Sequence, residues 1–477
     1  MKRKFVIGLL AIALIIALLA ATACGRNGGE EDPPIVEVTP TPEPPAADPP
    51  AEDPPEDPPE ELGPPRVITF GGPWAHGVMT GAEPDPEGIF YAIDQLRIPW
   101  LHDVIMPQFN VEFAHVYIPF GDEFVPSIAA SVMAGEPLAD FLLIQPFRAL
   151  QAIQGGLLTP LDDFVPADNP IFRLENNAGL RPLWFHNDQL WMFTNNSHAT
   201  LTMGLLVNMD MVERLALDCP IELFETGNWN WDNFRRLMSE ATFSSTGDGV
   251  IDHVGIRTGD YHPREFFGTL VSANSGWLVD PTGPTNVLGL DSPQSMMALE
   301  FIYDIVVHDR VWSYLHGDIP PENALFAFGG WGGINDMEFA ADWLPVPMGP
   351  MNTTGWTHSS VRGNGFTMQV GVEDPGFVFS VLDAHESGWP QGDPTLQHSL
   401  SYAQLEAALP TMASINRVLT NARMPAQNVD LARIIGHDFF DFFVDIMNGF
   451  IDRSLTPASA VESFRPQMQD VIDERLN

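Results

Sequence analysis

Lysine is almost missing from this chain: after Lys4 there is none in 477 residues. Lys and Arg together number 22 against 63 Asp and Glu, a formal charge of −41. A surface this acidic repels phosphate backbones, which excludes nucleic acid as a partner. Cysteine is nearly as scarce, with only Cys24 and Cys219 present. There is no C-x-x-C pair, no HExxH helix and no histidine cluster, so a zinc site has no ligands to draw on. The sequence asks for no metal and no cofactor. The apolar run from Phe5 to Ala20 has 16 residues, fewer than the roughly 20 of a stable membrane span.

That run has a clear order around it. Lys2-Arg3-Lys4 precedes it, and Ala21-Thr22-Ala23-Cys24-Gly25 follows. A positive head, a short apolar core and small residues make a secretory signal over residues 1–23. The step into Cys24 resembles a bacterial lipobox, with Ala21 where Leu is commoner. It implies a lipid-modified Cys24 on the outer face of a cell membrane. Each buried methylene of its acyl chains would add roughly 0.8 kcal/mol to the hold on the bilayer. Loss of the leader's three cations takes the formal charge from −41 to −44.

From Gly25 to Arg66 there are 14 Pro and 12 Asp or Glu. Such a stretch cannot bury enough apolar surface to offset chain entropy. Residues 24–66 are therefore expected to form a disordered linker. Polyproline conformation at 3.1 Å per residue would let it reach about 130 Å.

Residues 67–477 suffice for two lobes. Strands are expected at Val67–Gly72, Val111–Pro119 and Asp140–Ile144, with helices from Asp122 to Gly135 and from Phe147 to Ile153. This alternation predicts an α/β lobe with a mainly parallel sheet. It continues with strands at Gln189–Phe193 and Gly204–Asn208. Helices are expected over Met209–Leu217, Trp231–Ala241, Ser292–Val307 and Leu431–Met447.

Several segments, in their shared order, resemble extracellular solute-binding proteins of ABC transporters, the sugar-binding type called family 1. They include Ala134-Gly135-Glu136-Pro137-Leu138-Ala139-Asp140, Gly155-Gly156-Leu157-Leu158-Thr159-Pro160-Leu161-Asp162-Asp163 and Leu206-Val207-Asn208-Met209-Asp210. Trp229-Asn230-Trp231-Asp232-Asn233-Phe234, Ala327-Phe328-Gly329-Gly330-Trp331 and Val346-Pro347-Met348-Gly349-Pro350 continue the series. Val207 and Met209 depart from the family's aromatic and lysine.

The resemblance implies an α/β, two-lobed, periplasmic-binding-protein-like (class II) fold with a ligand cleft at the interlobe hinge. It implies a monomer that captures a small solute, a mono- or oligosaccharide, for ABC permease subunits in the membrane. Lobe 1 is expected over 67–183 and 320–375, and lobe 2 over 184–319 and 376–477.

A sugar cleft needs flat aromatic plates and groups that pair with hydroxyls. Trp74 follows the first strand at its carboxyl end. Trp331 lies among glycines, and Trp277 and Trp356 sit in polar loops. Gln145 ends the third strand, Asn195 falls at the hinge, and Arg362 and Asn364 flank Gly363. These eight are the candidate ligand-binding residues. Trp229 and Trp231 are expected to pack a helix start, and Cys219 to be a small buried residue.

Two local features invite other chemistry. Ser244–Gly255 carries Asp248 and Asp252 in partial imitation of a calcium loop. Asp162-Asp163 could be read as paired carboxylates for glycan hydrolysis. A plain turn and a helix cap are the bland readings of the two. A surface lipoprotein enzyme acting on glycans, or a binding protein for a non-sugar solute, stands as the alternative function.

Overall fold

The computed structural model describes residues 63–73, 95, 98–119, 121–165, 184–193, 203–258, 263–317, 319–357, 364–387, 405–406, 408–423 and 435–476. Strands are β1 Arg66–Gly72, β2 Val111–Tyr117, β3 Phe141–Ile144, β4 Leu158–Thr159, β5 Phe185–His186, β6 Gln189–Leu190 and β7 Met203–Asn208. They continue with β8 Val254–Arg257, β9 Val279–Asp280, β10 Val287–Leu288, β11 Ala324–Gly330, β12 Ala341–Leu344 and β13 Gly365–Gln369. Helices are α1 Met106–Phe109, α2 Phe124–Ala134, α3 Pro146–Gln154, α4 Met209–Arg214, α5 Pro220–Glu225 and α6 Trp231–Glu240. Then come α7 Pro263–Ala273, α8 Pro293–Tyr303, α9 Pro375–Ser387, α10 Met412–Arg423, α11 His437–Ile451 and α12 Pro457–Leu476.

Two main sheets organise the fold. The first runs β2-β1-β3-β13-β4, and the second runs β12-β7-β11-β8. In the first, β1 pairs in parallel with β2 and β3, while β13 runs antiparallel to β3 and β4. In the second, only β8 and β11 are parallel, and β7 is antiparallel to both its neighbours. Both sheets are thus mixed, which is less parallel than the alternation of elements suggests.

Local chemistry explains the boundaries. α2 stops at Gly135, whose φ of 71° is left-handed and whose N–H closes the last turn, as glycine at this position usually does. α4 and α6 start on Asn208 and Asn230, whose side chains accept from Met211 and Asn233 amides, the standard way of satisfying free donors at a helix start. α8 gives way at Tyr303 to a wider π turn over Asp304–His308.

Each sheet has its own core. Ile68, Phe70, Phe141, Ile144, Phe193, Phe366 and Phe379 pack around the first. Leu205, Val207, Phe234, Ile256, Phe326, Phe443 and Met447 pack around the second. These cores move the lobe boundaries away from the expected ones. Residues 324–344 carry β11 and β12 and belong to the second sheet, where 320–375 was expected in lobe 1. Trp184 to Phe193 and the α9 residues Val378, Phe379 and Leu382 instead pack in the first core. The chain therefore changes lobe between Phe193 and Met203, between Leu344 and Gly365, and between Ser387 and Leu405. The hydrophobic pattern marks the elements but not which core each one joins, so all three expected boundaries fall earlier in the chain than the cores place them.

Candidate ligand-binding site

Ligands of open α/β sheets sit outside the carboxyl ends of the strands. In the first sheet that edge holds Gly72, Tyr117 and Ile144. β13 enters there antiparallel, with Gly365 opposite Ile144. One step further out, Gln145 and Asn364 share the same edge. These two candidates, 219 apart in sequence, are brought together by one strand pairing.

Gln145 is half-buried and starts α3. Its Oε1 accepts from Arg148 Nη1. Arg148 is 8% exposed and lies over the rings of Phe147 at 4.7 Å and Phe124 at 5.8 Å. Burial pushes its guanidinium pKa down, and the charge of nearby Asp122 works against that. The second lobe reaches this edge through the start of α11. A Cβ on Gly436, whose φ is 103°, would lie 3.1 Å from Phe147 Cβ. Glycine there suits both the backbone angle and the close approach.

Tyr117 was not foreseen. It is 67% exposed at the end of edge strand β2, and His115 Nε2 lies 2.8 Å from Gly72 O beside it. The available signal was an aromatic residue closing an alternating strand at its carboxyl end. In the second sheet the matching edge holds Thr258, Gly330 and Pro345. Thr258 is spent on Trp312, whose Nε1 donates to its hydroxyl at 3.2 Å.

The remaining candidates scatter. Trp331 is 2% exposed and packs with Leu206, Trp343, Leu405, Ile415 and Val418. It turns into a core beneath α10 rather than offering a face to solvent, contrary to what its glycine neighbours suggested. Trp277 is half-buried, and its backbone N–H and C=O are both held by Ser295 Oγ, at 3.0 and 3.1 Å. Trp356 lines a groove of its own in the second lobe. Trp74, Asn195, Arg362 and Cys24 lie outside the described residues. Trp229 and Trp231 are each 4% exposed and pack at the start of α6, as expected. Cys219 is half-buried at the start of α5, less buried than expected.

The two loops with other chemistry are closed on themselves. Asp252 accepts from Ser245 N at 2.8 Å and lies beside His253, whose hydrogen bond most lowers its pKa. Asp248 accepts from Val250 N at 2.8 Å, which holds its carboxyl low as well. Among the described residues no group of three or more His, Cys, Asp or Glu is placed to hold a metal ion. Asp162 accepts from Leu190 N at 2.9 Å, a structural bond between a turn and a hairpin.

This architecture has counterparts of known structure. An ABC substrate-binding protein from Listeria monocytogenes, solved with cycloalternan, aligns with a TM-score of 0.60 at 12% identity. It covers 86% of this chain and 99% of its own. The fold is that of the ABC-transporter solute-binding proteins. The cyclic alpha-maltosyl-1,6-maltose binding protein of Arthrobacter globiformis aligns at 0.59 and 14% identity, over 86% of this chain and 100% of that one. The maltose/maltodextrin-binding domain of Bdellovibrio bacteriovorus, bound to maltotriose, gives 0.53 and 16% over 86% and 99%. No protein-family profile matches the sequence, and no curated protein matches it. Among the described residues, no helix of this solute-binding fold is long and apolar enough to cross a membrane.

Proposed function

We propose that the protein captures a saccharide between its two lobes and delivers it to the permease of an ABC importer. The observation that carries this reading is the match over 86% of the chain to structures named for bound glucans. The site geometry agrees with it. Gln145 and Asn364 offer amides at one strand edge, Tyr117 offers a ring, and α11 of the other lobe abuts the same place. A ligand that touches both lobes stabilises the closed arrangement by its differential affinity. Acylated Cys24 would hold the protein on the outer face of the membrane, and residues 24–66 would give it reach.

Two measurements test this. A saccharide at 100 times its dissociation constant is expected to stabilise the protein by about 2.7 kcal/mol, read as a thermal shift with the sugar recovered intact. Release of hydrolysis products by the pure protein would instead favour the glycan-active enzyme. Mass spectrometry of the protein from membranes is expected to find a chain that begins at Cys24 with two or three added acyl chains. A free, unmodified N-terminus would remove the anchor.

A further inference from the structure

A groove of about 470 Å³ lies within the second lobe, inside the roughly 300–1,000 Å³ range of small-molecule sites. One wall is a stripe of α10: Ala413, Asn416, Arg417, Thr420 and Asn421. Their spacing of three and four residues puts them on one helix face. The opposite face of α10 carries Ile415, Val418 and Leu419 into the core with Trp343. The other wall is apolar and aromatic, formed by Phe224, Trp229, Pro345, Val346, Met348 and Trp356.

The backbone that carries Trp356 is held in place. The Trp356 carbonyl accepts from Asn352 Nδ2 at 3.0 Å and Thr354 Oγ1 at 2.8 Å. Asn352 Oδ1 also accepts from the amides of Thr354 and Gly355, at 3.0 and 2.9 Å. The loop is thus braced by its own side chains before any ligand arrives. On the facing helix, Asn416 and Thr420 are exposed, and their side chains bond to no other described residue. Trp356 Nε1 is itself buried and has no hydrogen-bond partner among the described residues. Arg417 is already bound to Asp342 at 2.5 Å and lies 3.8 Å from Glu225. Two carboxylates around one guanidinium leave no surplus positive charge to draw an anion.

An aromatic plate facing uncharged amide and hydroxyl groups fits a neutral ring with one C–H face and hydroxyl edges. We propose that this groove is a second saccharide site, lined by residues of the second lobe alone and sharing none with the Gln145 and Asn364 edge of the first. The proposal rests on the saccharide reading given above. Because every lining residue lies in 224–229, 345–357 or 413–421, filling the groove needs no movement of the first lobe.

Hydrogen exchange of the full-length protein tests it, with maltotetraose, maltose and D-tagatose each added separately at millimolar concentration. Slower exchange is expected in peptides covering 352–357 and 412–423, besides any slowing at 141–148 in the cleft. Trp356→Ala removes the plate, and Thr420→Trp fills the groove from an exposed helix position. Each is expected to raise the sugar concentration for half-protection of the groove peptides at least tenfold and to leave 141–148 unchanged. Protection at 141–148 with none in the groove peptides would overturn the second site and leave the main function standing. Groove protection that both variants leave intact would also overturn it. No protection at either place with any of the three sugars would take down the saccharide reading of the whole protein and the groove with it.

Discussion

Asp342→Ala is expected to lower the unfolding free energy by about 3–5 kcal/mol, the usual cost of removing one partner from a buried ion pair. The Arg417 and Asp342 side chains are only 6% and 9% exposed. Arg417 also donates to the Trp343 carbonyl at 3.2 Å and to Ser414 Oγ at 3.0 Å. Loss of Asp342 leaves a guanidinium enclosed with only Glu225, itself half exposed, at 3.8 Å. Urea denaturation followed by helix circular dichroism measures the loss. The double variant Asp342→Leu with Arg417→Met should recover most of it, because an apolar pair no longer bears the desolvation cost of charge. A single-variant loss below about 1 kcal/mol would mean that water screens the pair as it does at an exposed site.

Phe70→Ala is expected to cost a similar amount, about 3–5 kcal/mol, but in the other lobe. Phe70 is 1% exposed at the centre of β1. Its ring lies 5.4 Å from His385, 5.5 Å from Phe113, 5.7 Å from Phe141 and 5.8 Å from Phe366. Those partners come from β2, β3, β13 and α9, so one truncation loosens every layer of the first core. Because that core is separate from the second, hydrogen exchange should speed up in residues 66–72, 111–117, 141–144 and 365–369. Residues 203–208 and 324–330 should keep their protection. Equal loss in both sets would show that the two lobes unfold as one unit.

Much of this architecture was legible in the sequence because it rests on local chemistry. Gly135 ends a helix wherever a left-handed residue is needed, and Asn230 caps one by the reach of its own side chain. The strand Phe141–Ile144 is a bare apolar run bounded by Asp140 and Pro146. Other features depend on partners far along the chain. The four residues Ala341–Leu344 are too short to announce a strand, and only pairing with β7 makes them one. Trp331 sits among glycines, which suggested an open loop. Its burial depends on α10, some eighty residues later, closing over it. The groove on α10 was hidden for a different reason: the sequence reading marks no helix over Met412–Arg423, and its polar residues gain a partner wall only when Trp356 is placed opposite. The pairing of Gln145 with Asn364 follows from the register of β13, which no local pattern encodes.

One feature of the first sheet bears on how copies of this protein coexist. β2 is an edge strand of seven residues, and among the described residues no other strand pairs with its outer side. An open edge of that length is a template for joining sheets between molecules. Two copies meeting there would each bring a formal charge of −41 over the full sequence. Mutual repulsion keeps those edges from zipping together. The acidity that excluded nucleic acid at the outset thus also acts as a guard against aggregation, one that high salt would weaken.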